Sequence, residues 1–261
     1  MSEHPRDVRA RIRAGKWDGP TGGLCEGYVQ TNMVILPKEQ AFDFLVFCQR
    51  NPKPCPLLEV TEPGDPEPKT LAPGADLRTD VPRYRVWRNG DLADEVTNIG
   101  SLWHDDLVAF LLGCSFTFDT SLVNAGIDVP HMRTGSGENV PMFVTSIDTK
   151  PAGQFHGPMV VSMRAIPQDK VVKAVQVTSR FPTMHGSPVH IGDGAKIGIT
   201  DVRKPDFGSA VPIGDDDVTV FWACGVTPQS VCLASKPPFM ISHAPGHMFI
   251  TDVRDEDMAV I

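Results

Sequence analysis

The chain has 261 residues with 24 Lys plus Arg against 32 Asp plus Glu, a net charge of −8, and no basic block interleaved with aromatics; nucleic-acid binding through phosphate neutralisation is disfavoured. Its 41% hydrophobic and 21% charged residues match an ordinary globular protein, with material for one large domain or two small ones. No apolar run reaches the length of a membrane span and the opening MSEHPRDVRARIRAGKW lacks the apolar stretch of a signal peptide, so a cytoplasmic location and no membrane partner are expected.

In chain order, residues 4–14 predict a short amphipathic helix with Val8 and Ile12 on one face. Tyr28 to Leu36 reads as a strand, and Pro37 opens a helix over Lys38 to Arg50 that the run NPKPCP then stops. Leu57 to Val60 is a short strand. Thr61 to Pro82 is too rich in Pro, Gly and Asp for a regular element, and so long a loop in a compact domain is functional or covers something. Asn89-Gly90 between YRVWR and DLADEV signals a hairpin with a left-handed two-residue turn. The apolar run DDLVAFLL, Asp105 to Leu112, reads as a helix with acidic residues at its start, followed by a second short helix over Phe118 to Ala125.

Strands follow at Val140 to Ile147 and Gly157 to Arg164, then a helix from Pro167 to about Arg180 and a Gly/Asp-rich loop region over 192–217. Val218 to Ala223 is a buried strand that turns at Cys224-Gly225 into a helix, with Thr227 as cap and Pro228 in the first helical position. Pro237-Pro238 ends that helix before an apolar segment leading to His243-Ala-Pro-Gly-His247. Alternating strands and helices argue for an α/β fold, and the hairpin-like strands around one helix in the middle suggest an inserted α+β unit.

Strand, tight turn, helix start and a nearby His loop form a place to hold an anion beside acid/base groups. Unpaired amides at Cys224, Gly225 and Thr227 could bind a carboxylate. His243 and His247 are candidate proton carriers; Pro245-Gly246 between them rules out a helical metal pair, and no metal site is expected. Ser162, Arg164 and His156 share one phase of a strand, which would let Arg164 clamp a carboxylate in a fork. Arg180, His185 and Ser115 are further candidates. Asn51 and Lys53 lie in a loop stiffened by alternating prolines, the kind of setting that positions a side chain. The six cysteines show no CxxC spacing and read as reduced thiols. Cys114 and Cys224 could instead flank a substrate as two thiols. The phosphate-loop, dinucleotide, HExxH and GxSxG signatures are absent.

The stretches around GYVQTNMVILPKEQAFDFLVFCQRNPKPCPLLEV, DDLVAFLLGCSFTF, HGPMVVSMR, SRFPTMHGSPVHIGD, FWACGVTPQ and HAPGHMFITD resemble a bacterial hydro-lyase family related to D-glutamate cyclase, over about Arg9 to Asp252. The resemblance implies a three-layer α/β/α main domain (1–115 plus 208–261) and a smaller two-layer α+β subdomain (116–207). It implies reversible dehydration of D-glutamate to 5-oxo-D-proline, and so a small carboxylate substrate. That chemistry requires no cofactor, although a divalent cation is compatible with it, as is a homo-oligomer. In this reading Arg164 or Arg180 holds the α-carboxylate, the 225–227 amides hold the γ-carboxyl, His243 or His247 moves the proton, and Ser162 or Ser115 assists. The alternatives are another carboxylate hydro-lyase, a cofactor-independent racemase using two thiols, and a non-catalytic binder of an acidic metabolite.

Overall fold

The computed structural model describes residues 3–132 and 139–260. In chain order the elements are α1 (Pro5–Arg13), β1 (Tyr28–Pro37), α2 (Lys38–Arg50), β2 (Leu57–Val60), β3 (Tyr84–Arg88), β4 (Asp91–Val96) and β5 (Leu107–Gly113). Then come α3 (Phe116–Asn124), β6 (Met142–Asp148), β7 (Pro158–Pro167), α4 (Val171–Ser179), β8 (His190–Ile191), β9 (Asp217–Ala223), α5 (Thr227–Ser235), β10 (Phe239–His243) and β11 (Phe249–Arg254).

The architecture is mixed α/β. Its larger sheet runs β2-β5-β1-β10-β3-β4, with β11 on β1 as well, and its smaller sheet runs β6-β7-β9-β8. Every one of these pairings is antiparallel. β1 is the hub of the larger sheet: one edge pairs with β5 along its length, and the other is shared by β11 near its start and β10 near its end. Its side chains are buried on both faces, which is why it reads as a near-continuous apolar run.

One face of the larger sheet packs Val34, Leu36, Val108 and Phe110 against Phe44 and Phe47 of α2 and Val231 of α5. The other face packs Met33, Ile35, Leu111 and Ile241 under Leu71, Ala72 and Leu77. The long irregular segment after β2 is therefore a cover for apolar surface, its backbone tied down by carboxylates: Glu59 accepts from the amides of Thr70 and Leu71. The smaller sheet buries Ile166, Val220 and Trp222 against Phe118 and Leu122 of α3 and Ala174 of α4.

Two sequence expectations change here. Residues 107–113 form a central strand, not a helix: the run LVAFLLG is buried throughout and flanked by β1 and β2. A short run that is apolar on every side has no period to separate helix from strand. The boundary expected at 207 also fails, because β9 is a strand of the smaller sheet between β7 and β8. The hairpin at Asn89-Gly90 forms as expected, with φ of +52° and +85° at those residues.

Candidate functional site

Two strand ends carry the same local device. β5 stops at Gly113 and passes through Cys114-Ser115 into α3; β9 stops at Ala223 and passes through Cys224-Gly225-Val226 into α5. Each thiol receives a backbone N–H from two residues on, Phe116 for Cys114 and Val226 for Cys224. The first strand belongs to the larger sheet and the second to the smaller, and the two turns meet at one narrow cavity of about 20 Å³. Such a volume admits about one water-sized molecule. Both helices direct the positive end of their dipoles at their starts, where the Thr117 and Thr227 amides donate to the Cys114 and Cys224 carbonyls at 3.4 and 3.0 Å.

Asn32, His185 and His243 complete the polar wall. Asn32 is a buried amide in the apolar run of β1; its Nδ2 donates to the Gly113 carbonyl at 2.6 Å. Gly225 lies against that amide so closely that a Cβ there would stand 1.9 Å from Nδ2, which explains the glycine. His243, at the end of β10, is 1% exposed. Its Nδ1 lies 3.1 Å from the Met33 nitrogen and 3.3 Å from the Met33 oxygen, while Nε2 has no hydrogen-bond partner among the described residues. Either neutral tautomer thus finds a backbone partner at Nδ1 without moving the ring, leaving Nε2 free to carry or lack the proton. Burial lowers the pKa of His243 to about 4.

His185 reaches the cavity on a strained backbone, φ +75°, uncommon for a residue with a Cβ. Lys53 holds it there. The Lys53 carbonyl lies 2.7 Å from His185 Nδ1, and Lys53 Nζ donates to the His185 carbonyl at 3.2 Å and to the Ser187 carbonyl and hydroxyl. The segment before it crosses the end of β5 so tightly that a Cβ on Gly113 would meet the Thr183 oxygen at 2.0 Å. Burial drives His185 to about 4 as well, so its ring is neutral near pH 7. Lys53 therefore positions the His185 loop and does not line the cavity, and burial lowers its own pKa.

Arg164 is 3% exposed and its fork is fully engaged. Nε and Nη2 donate to Asp119 at 3.0 and 2.5 Å, Nη1 donates to Ser162 Oγ at 2.7 Å, and Nη2 donates to Ser115 Oγ at 2.9 Å. His131 approaches Asp119 at 2.9 Å from another direction. Burial opposes ionisation of Asp119, but Arg164 and His131 overcome it and hold its carboxyl below the usual carboxylate range. Arg164 is thus a structural cation behind Ser115, not the free carboxylate clamp expected from strand phase. Ser162 is buried as its acceptor, whereas Ser115 also lines the cavity.

Other expectations fall away from the cavity. Arg180 is exposed and donates to the Val260 carbonyl. His156 is exposed, precedes β7, and bonds the Gln154 carbonyl. Asn51 donates from its side-chain amide to the Phe47 and Lys150 carbonyls and accepts from the Lys150 N–H. Thr227 is the first helical residue with Val226 as cap, and its hydroxyl is used by the Cys224 carbonyl at 2.7 Å and the Val160 amide at 3.1 Å. His247 is half-buried, bonds the Pro245 carbonyl, and sits in the field of Arg83, Glu95 and Asp18 outside the cavity wall.

Sequence reasoning missed Asn32, Asp119 and His131. The available signal was a polar side chain inside an apolar run, Asn32 in QTNMVIL and Asp119 in FTFDTSLV, since buried polar groups need partners. A larger cleft of about 380 Å³ opens beside β7, reached by Arg164 and His131. Its wall carries Asp128 and Asp217 beside Arg164 and His131, and it lacks paired helix starts. Among the described residues no group of three or more His, Cys, Asp or Glu is placed to hold a metal ion, and no helix is long and apolar enough to cross a membrane.

A family model described as D-glutamate cyclase matches residues 108–252. A protein of Bacillus licheniformis named "Putative hydro-lyase BLi00500/BL02808" is 60% identical over 98% of this chain and 97% of its own. "Putative hydro-lyase YcsI" of Bacillus subtilis is 59% identical over 98% and 99%, and a "Putative hydro-lyase" of Stutzerimonas stutzeri is 58% identical over 98% and 96%.

Proposed function

The chain belongs to the D-glutamate cyclase family, and on that premise we propose that it is a lyase of the hydro-lyase class that interconverts D-glutamate and 5-oxo-D-proline in the cavity between the starts of α3 and α5. The observation that carries the reading is the convergence of two helix N-termini on one cavity beside a buried histidine nitrogen that has no hydrogen-bond partner among the described residues.

Ring closure forms a bond from the α-amino nitrogen to the γ-carboxyl carbon, and one carboxyl oxygen leaves as water. The amine must lose a proton and the departing oxygen must gain one. Amides at the two helix starts would hold the α-carboxylate and the developing oxyanion, each oxyanion donor contributing about 3 kcal/mol. His243 Nε2 would move the proton. Its low basicity, set by burial, suits this role, because a carboxylate bound beside the ring would draw its pKa back up. Ser115, aligned by Arg164, would assist at the leaving oxygen, and the Asn32 amide would orient a carboxyl. No cofactor enters this scheme. A cavity of about 20 Å³ is closed to glutamate, so its walls must part to admit substrate. Folding an acyclic chain against its own carboxyl is the kind of reaction in which orientation supplies several kcal/mol.

The test is to incubate the folded protein with D-glutamate and, separately, with 5-oxo-D-proline, and follow both by chiral chromatography. Interconversion is expected; no turnover in either direction would remove this substrate.

A further inference from the structure

Ring closure uses neither Cys114 nor Cys224, yet each stands at the start of a helix and both line the cavity. We propose that Cys114 and Cys224 form a proton donor and acceptor pair that exchanges the α-hydrogen of a small amino acid or lactam carboxylate held between the two helix starts, so that the protein also interconverts the enantiomers of that acid.

The geometry supplies what such a step needs. One thiol arrives from the larger sheet at the end of β5 and the other from the smaller sheet at the end of β9, so the pair reaches the cavity from two separate supports. Cys114 and Cys224 line one and the same cavity, so a carboxylate admitted there, once the walls part, would meet both thiols. The unpartnered Nε2 of the buried His243 points independently to a polar ligand in the same space. The walls around the thiols are apolar, including Phe116, Val140, Val160 and Met248, which excludes water from a carbanion.

The step balances without an oxidant or a metal. A thiolate on one cysteine takes the α-proton and becomes a thiol, and the electron pair left on carbon delocalises into the carboxyl group held by the amides. The opposite thiol then delivers its proton to the other face of the carbon and is left as the thiolate. The pair needs one negative charge, not two. Burial raises both thiols, Cys224 to about 11 and Cys114 further, while the Phe116 and Val226 amides pull the other way. A charge on Cys224 further disfavours ionisation of Cys114, so of the two Cys224 is the one to carry the thiolate while Cys114 keeps its proton.

The inference shares its cavity with the cyclase reading but is read out at a different atom, so the two fail separately. D-Glutamate, L-glutamate and both enantiomers of 5-oxoproline are each incubated with the protein in D2O. Proton NMR and chiral chromatography then follow the α-position. The expected result is the opposite enantiomer carrying deuterium, with recovered starting material still protonated at low conversion, because the two faces are served by different thiols. Cys114→Ser and Cys224→Ser should each reduce formation of the opposite enantiomer at least 100-fold. Deuterium appearing only in recovered starting material would mean a single base and overturn the pair. So would conversion to the opposite enantiomer that persists in either serine variant. Absence of deuterium from all four compounds overturns the inference whether or not ring closure occurs, and this wild-type measurement stands even if a serine variant fails to fold.

Discussion

A Cβ on Gly225 would stand 1.9 Å from Nδ2 of Asn32, the amide that donates at 2.6 Å to the Gly113 carbonyl. The turn into α5, the central strand β1 and the end of β5 are thus interlocked through one side chain. Gly225→Ala must push Asn32 off the Gly113 carbonyl, and overpacking of this kind costs about 1–3 kcal/mol. Asn32→Ala alone leaves the carbonyl without that donor, a loss of about 1–2 kcal/mol. The double variant removes the clash, so it should be more stable than the sum of the two singles predicts. Urea denaturation of the four proteins measures the coupling; strict additivity would show that the two residues do not press on one another.

How far the site could be read in the sequence depends on whether each partner lies nearby in the chain. The strand–helix turn at Cys224-Gly225 was legible because apolar run, turn and Pro228 are contiguous. Its counterpart at Cys114-Ser115 was read as a helix end, because the apolar LVAFLL could be strand or helix until β1 and β2 were seen to flank it. Period two correctly put Ser162 and Arg164 on one side of β7 but could not show that Asp119 of α3 occupies the guanidinium. Lys53 was found for its stiff loop, whereas its role follows from His185 and Ser187, far along the chain. Polar groups at this site are decided by long-range packing, which residue type and spacing do not encode.

The Arg164–Asp119 pair is buried on both sides, with side-chain exposures of 2% and 0%. Asp119→Asn removes the countercharge and leaves the guanidinium desolvated, so it should cost about 3–5 kcal/mol. Combining it with Arg164→Met takes away both charges, and much of that stability should return. Turnover should not return with it, because Ser115 and Ser162 both lose the donor that aligns them. Thermal melts paired with activity assays separate the two effects. An active double variant would show that the guanidinium has no positioning role.

Acid stability is set by opposing groups. His185 and His243 are held at about 4 by burial, below the ordinary 6.5, so the unfolded chain binds more protons between those values. Their stabilisation is complete above pH 6.5 and is lost as pH falls toward 4, roughly 3 kcal/mol for each. Asp255 runs the other way: burial raises it from 3.8 to about 7, so its stabilisation is present at low pH and is lost as pH rises through 7. His185 and His243, joined by His247, whose pKa burial also lowers, outweigh the one carboxyl, so stability rises with pH between 4.5 and 6.5. Asp255→Asn deletes the opposing group and should steepen that rise by about 1.4 kcal/mol per pH step. Urea midpoints taken across this range give both slopes, and an unchanged slope in the variant would contradict the raised carboxyl.

The two histidines of the His243–His247 loop should separate cleanly in kinetics. His243 lines the cavity with Nδ1 seated on the Met33 backbone and a buried Nε2 that has no hydrogen-bond partner among the described residues, and His247 lies outside the wall bonded to the Pro245 carbonyl. His243→Asn keeps a polar side chain but cannot exchange a proton, so ring closure should slow about 100-fold or more, the contribution typical of a positioned acid/base group. The loss should fall on kcat, since the helix-start amides proposed to hold the carboxylates are untouched. His247→Asn should leave kcat and KM within a few-fold of the parent. Steady-state rates with 5-oxo-D-proline across pH 6–9 provide the comparison. Equal losses in the two variants, or a His243→Asn protein at parental rate, would move the proton transfer to another group on the wall, and His185 on its strained backbone would be the next to replace.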